Sequence, residues 1–107
     1  MSIRVEPSAI ADRLVDRPYA FVLTNSDDRV HVVSLRPQVS ADTLVFGGIG
    51  RSTTADVERN PRVTVVWPGS MGSGEHDGYS LIADGQGEIR AGQLVVVIEN
   101  AVLHRPA

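Results

Sequence analysis

The feature that most restricts what this chain can become is a succession of short, valine-rich runs separated by polar or glycine-bearing breaks. Tyr19-Ala20-Phe21-Val22-Leu23-Thr24 is the first, and Asn25-Ser26-Asp27-Asp28 interrupts it. Arg29-Val30-His31-Val32-Val33-Ser34-Leu35-Arg36 follows, then Ser40-Ala41-Asp42 and Thr43-Leu44-Val45-Phe46. Arg62-Val63-Thr64-Val65-Val66-Trp67 is the fourth run. Residues 79–89 and 94–104 are the fifth and sixth, with Arg90-Ala91-Gly92 between them. β-Branched residues suit a pleated, half-buried surface, and runs of this length bounded by Gly, Asn, Asp and Ser read as strands. Most of the connections are of hairpin size. Six such strands predict a closed or nearly closed antiparallel barrel around one core.

Two helical segments interrupt the pattern. Pro7 suits a first helical position, and Ile10 with Leu14 and Ala11 with Val15 stand four apart, which predicts a helix over 7–16. Arg17-Pro18 ends it, because a residue before proline is pushed out of the helical region. A second helix is expected over 52–60, closed by Pro61. Residues 68–78 carry four glycines and read as a long loop, and Gly85 and Gly87 mark bends or bulges in the fifth strand.

With 107 residues the chain makes one domain, 1–107, with room for one core. Its 42% hydrophobic and 21% charged content is that of an ordinary globular chain. The formal net charge of −3 argues against broad binding to nucleic acid or an anionic membrane. The absence of cysteine excludes disulfide scaffolds, thiolate metal sites and cysteine nucleophiles. No apolar run approaches the ~20 residues that cross a bilayer, and Met1 to Pro7 holds no signal core, so the expected compartment is the cytoplasm.

The stretch richest in chemistry runs from Phe46 through Gly47, Gly48, Ile49, Gly50, Arg51, Ser52, Thr53 and Thr54 to Pro61. Its glycines permit close approach of a ligand. The helix that follows starts with unsatisfied N–H groups at a positive dipole end. Ser52, Thr53 and Thr54 add hydroxyls, and Arg51 adds a planar fork that matches phosphate. A phosphate cradle is one reading of these residues. A capping box formed by Thr53 and Asp56 is the other, and the residues alone leave both open. The segment is neither a Walker loop, since Val45 stands where the first glycine belongs, nor a dinucleotide fingerprint, since Thr53 replaces its third glycine.

Other polar residues say less. His31 shares a strand face with Val33, while Arg36 shares the other with Val32 and Ser34. A lone strand histidine is more often structural than catalytic. No histidine and carboxylate spacing matches a metal site, and no nucleophile elbow is present. No catalytic side chain is assigned.

The order of elements, and above all Arg59-Asn60-Pro61-Arg62-Val63-Thr64-Val65-Val66-Trp67-Pro68 after a Gly-Arg-Ser-Thr helix start, resembles the pyridoxamine 5'-phosphate oxidase-like flavin-binding family. The resemblance runs from about Pro18 to Ile89. It implies a mainly β, six-stranded antiparallel split β-barrel of Greek-key type with two short helices. It further implies a homodimer that binds FMN, or in some branches a deazaflavin coenzyme, between subunits. His31 falls where many members place an arginine that reaches the flavin phosphate, and Arg36 where they place a lysine near the ring. The strand between them, Val32, Val33 and Ser34, and the strand end Phe46-Gly47-Gly48 are then flavin contacts. Arg51, Ser52, Thr53 and Thr54 occupy the helix start that holds the phosphate.

The departures lower the expected affinity. Tight FMN binders of this kind often carry Ser-Arg-Lys where this chain has Arg51-Ser52-Thr53. Each lost charged hydrogen bond is worth about 1.5–3 kcal/mol, a tenfold or greater loss in affinity. A cofactor-free protein is the third outcome. The C-terminal extension that contacts substrate in the true oxidases is absent, so that activity is not expected. The leading reading is a flavin- or deazaflavin-dependent oxidoreductase of unknown substrate. The alternative is a protein that holds flavin or another phosphorylated ligand without turnover. Nucleic-acid binding is disfavoured by 5% aromatics and the negative charge. A homodimer is expected because a barrel this small has little room for a flavin inside. Strands 62–67, ending in Trp67, and 94–98 carry few charges and offer the surface for it.

Overall fold

The computed structural model describes residues 2–69 and 76–106. Among the described residues eight strands form one antiparallel sheet: β1 (Ser2–Val5), β2 (Ala20–Asn25), β3 (Val30–Leu35), β4 (Gln38–Ser40), β5 (Thr43–Phe46), β6 (Arg62–Trp67), β7 (Ser80–Arg90) and β8 (Gln93–His104). Their order is β3-β2-β6-β7-β8-β5-β4, with β1 also on β8. One α-helix, α1 (Arg51–Arg59), joins β5 to β6.

All six expected strands are present, within a residue or two of their expected bounds. The count rises to eight because Ser2–Val5 and Gln38–Ser40 also pair. Both are too short to show an alternation of their own, and each becomes a strand by lying on a longer one. The first helix is a 3-10 helix over Pro7–Arg13, not an α-helix over 7–16. The amide of Leu14 bonds to the Ala11 carbonyl and that of Arg17 to the Leu14 carbonyl, a tighter three-residue spacing that turns only Ile10 fully into the core. Val15, expected on the apolar face, is 87% exposed. Most of the loop expected at 68–78 lies outside the described residues. Among the described residues no helix is long and apolar enough to cross a membrane.

The inner face of the curled sheet is a single core. Val22, Leu44, Phe46, Val63, Val65, Trp67, Leu81, Leu94, Val96 and Leu103 are buried there. Alternation along β6 sends Val63, Val65 and Trp67 inward, so Trp67 belongs to the core and does not border an outer surface. β7 is irregular between Asp84 and Gly85, which is the expected bulge. A Cβ on Gly85 would lie 2.1 Å from the Val97 carbonyl oxygen, so only glycine lets the two backbones meet. At Gly87 the reason is α1: a Cβ there would lie 2.8 Å from Val63 Cγ2 and 3.3 Å from Val57 Cγ1. The helix sits down on β7 at that point.

Candidate functional site

α1 begins at Arg51, one residue earlier than its sequence suggests, with Gly50 as N-cap in an extended conformation. No side chain caps it. A glycine cannot accept for the first N–H groups, so the N-terminal end stays open. Arg51 and Ser52 are exposed, and Arg51 forms no ion pair among the described residues. Thr54 turns its hydroxyl back to the Gly50 carbonyl at 2.9 Å, and Thr53 is 2% exposed. Of the four residues expected to form the cradle, the structure therefore presents two side chains, Arg51 and Ser52. Thr53 is packed against the sheet and Thr54 is committed to the helix.

The capping-box reading of Asp56 does not hold. Thr53, Asp56 and Val57 form the buried stripe of α1. The Asp56 carboxylate accepts a hydrogen bond from Thr24 Oγ1 at 2.8 Å, and its Oδ2 lies 2.5 Å from His31 Nδ1. Thr24 and His31 stand opposite each other on β2 and β3, so this one carboxylate ties α1 to both strands. The Asp56 side chain is 7% exposed and that of His31 is 23% exposed. Burial pushes the Asp56 pKa up, but the hydrogen bonds from His31 and Thr24 and the charges of His31 and Arg59 outweigh it and hold the group below the usual carboxylate value. Stability from this triad is thus complete above the unfolded-chain carboxylate pKa and lost as pH falls through the lower folded value. Urea unfolding should show a steeper acid loss below about pH 4 in the wild type than in Asp56→Asn. Parallel acid profiles for the two proteins would contradict it.

β3 ends at a different feature. The β4–β5 register sets Gln38 opposite Val45, which brings Arg36-Pro37 alongside Phe46-Gly47. Arg36 Nε donates to the Pro18 carbonyl at 2.7 Å and its two terminal nitrogens stay unengaged by described residues. Arg36 also lines a cavity of about 380 Å³ with Leu14, Arg17, Val39 and Trp67. Arg17 is held in its wall by the carbonyls of Trp67, Pro68 and Tyr79 at 2.7–3.1 Å. Phe46 is fully buried, so only its backbone faces outward, and Gly48 takes a φ of +68° that opens the turn into α1. The sequence-derived residues thus fall into two groups. Arg36, Phe46 and Gly47 gather at one end of β3, and His31 lies at the other end, against α1. Val33 points inward and Val32 and Ser34 outward, as alternation requires. Asp56 was missed as a partner of His31 because the two are 25 positions apart.

This curled antiparallel sheet with one helix laid across it is a fold shared with solved proteins described as FAD-binding, FMN-binding and pyridoxamine 5'-phosphate oxidase-like. The chain is similar to a FAD-binding protein of Mesorhizobium loti, with a TM-score of 0.72, 16% identity and 95% and 94% of the two chains covered. It is similar also to the FAD-binding protein of Mycobacterium smegmatis, with a TM-score of 0.68, 16% identity and 95% of each chain covered. An FMN-binding domain of a flavin-reductase-like enzyme from Shewanella baltica matches at a TM-score of 0.70 and 10% identity, over 96% and 77% of the two chains. No family model matches the chain. In sequence it is 30% identical to the uncharacterised proteins Mb0449c of Mycobacterium bovis and MT0457 of Mycobacterium tuberculosis, over 97% of its own length and 82% of theirs. The chain belongs to the family of these mycobacterial proteins.

Proposed function

We propose that the protein binds a phosphorylated flavin and serves as a flavin-dependent oxidoreductase. The observation that carries this reading is the uncapped start of α1 beside two exposed donors, Arg51 and Ser52, in a split barrel. Free N–H groups, a positive helix end and a guanidinium fit a phosphate without any rearrangement of the core. His31 is a further nitrogen donor or acceptor offered by β3. The ring would run along β3 toward Arg36, Phe46 and Gly47, where the cavity between Arg36, Leu14, Val39 and Trp67 offers an apolar place beside it. A bound flavin supplies the hydride chemistry, and this chain supplies binding, orientation and exclusion of water. The FAD- and FMN-binding neighbours support both flavins as candidates, and a deazaflavin coenzyme remains the third. Titration of the purified protein with FMN, FAD and a deazaflavin, followed by fluorescence quenching, tests the reading. Saturable quenching by one of them is expected, and no quenching by any overturns it. Turnover of NAD(P)H with an acceptor separates the oxidoreductase from a protein that only holds its ligand.

The same reading includes a homodimer. Phe21, Leu23, Val30, Val32, Val66, Ile82 and Val102 point away from the core, and the pairing of β3, β2, β6, β7 and β8 lays them side by side. Val30 and Val32 are about half exposed and Phe21 is 36% exposed. A contiguous apolar face on one side of a sheet marks an interaction surface. This face replaces the surface expected at Trp67, and it runs up to the strand that carries His31. Val32→Glu should turn a dimer into a folded monomer in sedimentation, because the partner would have to bury the new charge. A wild type that sediments as a monomer at micromolar concentration would remove the dimer.

A further inference from the structure

We propose that Asp56 is a positioning residue for cofactor binding: it holds His31 as the Nδ1–H tautomer, so that Nε2 and the Arg29 guanidinium together receive an oxyanion of the cofactor's phosphate, with uptake of a proton. This rests on the flavin reading above and adds Arg29 and Asp56 to it.

The argument starts at the carboxylate. An ionised Asp56 only accepts hydrogen bonds, so the ring nitrogen 2.5 Å away must donate, and the Nδ1–H tautomer is assigned by that contact. Thr24 donates to the same oxygen and fixes the carboxylate in turn. The ring therefore shows its lone pair, Nε2, on the side away from α1. What lies there is Arg29, whose Nε donates to Nε2 across 3.3 Å, a long contact between two basic groups. The charges around the ring are few. Thr24 on β2 is neutral, Asp56 on α1 already holds the other nitrogen, and Arg59 further along α1 is paired with Asp27 at 2.5 Å. Among the described residues Arg29 has no carboxylate partner. An exposed guanidinium and a half-buried imidazole thus stand together, and among the described residues no carboxylate lies within ion-pair distance of the guanidinium.

A phosphate completes the set. Arg29 turns its N–H groups from Nε2 to the phosphate, Nε2 takes a proton from water, and the new Nε2–H donates to a phosphate oxygen. Asp56 carries the balancing negative charge behind the ring, as a carboxylate behind a metal-bound or catalytic histidine does.

Calorimetric titration with FMN in buffers of different ionisation enthalpy, at about pH 7.5, counts the protons taken up. Wild type is expected to take up a measurable fraction of a proton. Asp56→Asn is expected to lose most of that uptake and to bind FMN at least tenfold more weakly. Arg29→Ala alters an exposed side chain that the fold does not need, and it is expected to weaken FMN about tenfold while leaving riboflavin, which has no phosphate, unchanged. Nitrogen NMR of the free protein should show His31 as Nδ1–H in wild type and as a tautomer mixture in Asp56→Asn. Equal proton uptake and affinity in wild type and Asp56→Asn, or an Nε2–H imidazole in the free wild type, overturns the inference while leaving flavin binding intact. A wild type that binds neither FMN nor riboflavin overturns both.

Discussion

Trp67→Ala is expected to remove about 3–5 kcal/mol of folding stability, the loss seen when a large aromatic leaves a packed core. A domain of this size has roughly 5–15 kcal/mol in total, so the variant should lie near or below the threshold of folding at 37 °C. Trp67 is fully buried at the end of β6, opposite Leu81, and is one of the residues that line the cavity with Leu14, Val39 and Arg36. Alanine would join that space of about 380 Å³ to a new void, and the rigid ends of β6 and β7 could not close around it. The Trp67 carbonyl would also lose its firm seat against the Arg17 guanidinium, which now bonds to it at 3.1 Å. Trp67→Phe keeps most of the contact and should cost well under half as much. Urea unfolding followed by far-UV circular dichroism measures both. A loss below about 1 kcal/mol for the alanine variant would show that the indole does not support the barrel end.

Arg51→Ala is the second large effect, and it acts on binding with stability unchanged. The side chain is exposed and makes no bond that the fold requires. Its loss should weaken FMN at least tenfold, because one charged hydrogen bond to phosphate is worth about 1.5–3 kcal/mol. The effect should be larger at low salt, since part of the attraction is screened Coulomb energy. Ser52→Ala removes a neutral donor and should cost less. Thr53→Ala is the internal contrast. With Thr53 at 2% exposure, its substitution should change the urea midpoint and leave FMN affinity within about threefold. Equal FMN affinity in wild type and Arg51→Ala would take the helix start out of the binding site.

Strand positions were legible in the sequence because a strand buried on one face needs an apolar residue at every second position. β6 shows it plainly: Val63, Val65 and Trp67 are the residues that the sheet turns inward. The helix start was legible for a similar local reason, since Gly50 before Arg51 and Pro61 after Asn60 mark both ends of α1. The 3-10 geometry of Pro7–Arg13 was not legible, because apolar residues four apart suit either helix and only the burial of Ile10 in the core decides.

The sequence by itself determined the curled antiparallel sheet, the single helix between β5 and β6, and a polar, glycine-flanked start to that helix. These depend on neighbours within a few residues, where backbone geometry dictates side-chain direction. Tertiary structure alone decided which polar groups meet. It pulled Asp56 away from a capping role into contact with Thr24 and His31, 32 and 25 positions away. It buried Thr53 while leaving Arg51 and Ser52 open, and it laid Phe21, Val32 and Val66 side by side on the outer face of the sheet. Burial makes an unpartnered carboxylate costly, so Asp56 is held wherever the folded sheet brings donors to it, and no local pattern in the chain announces where that is.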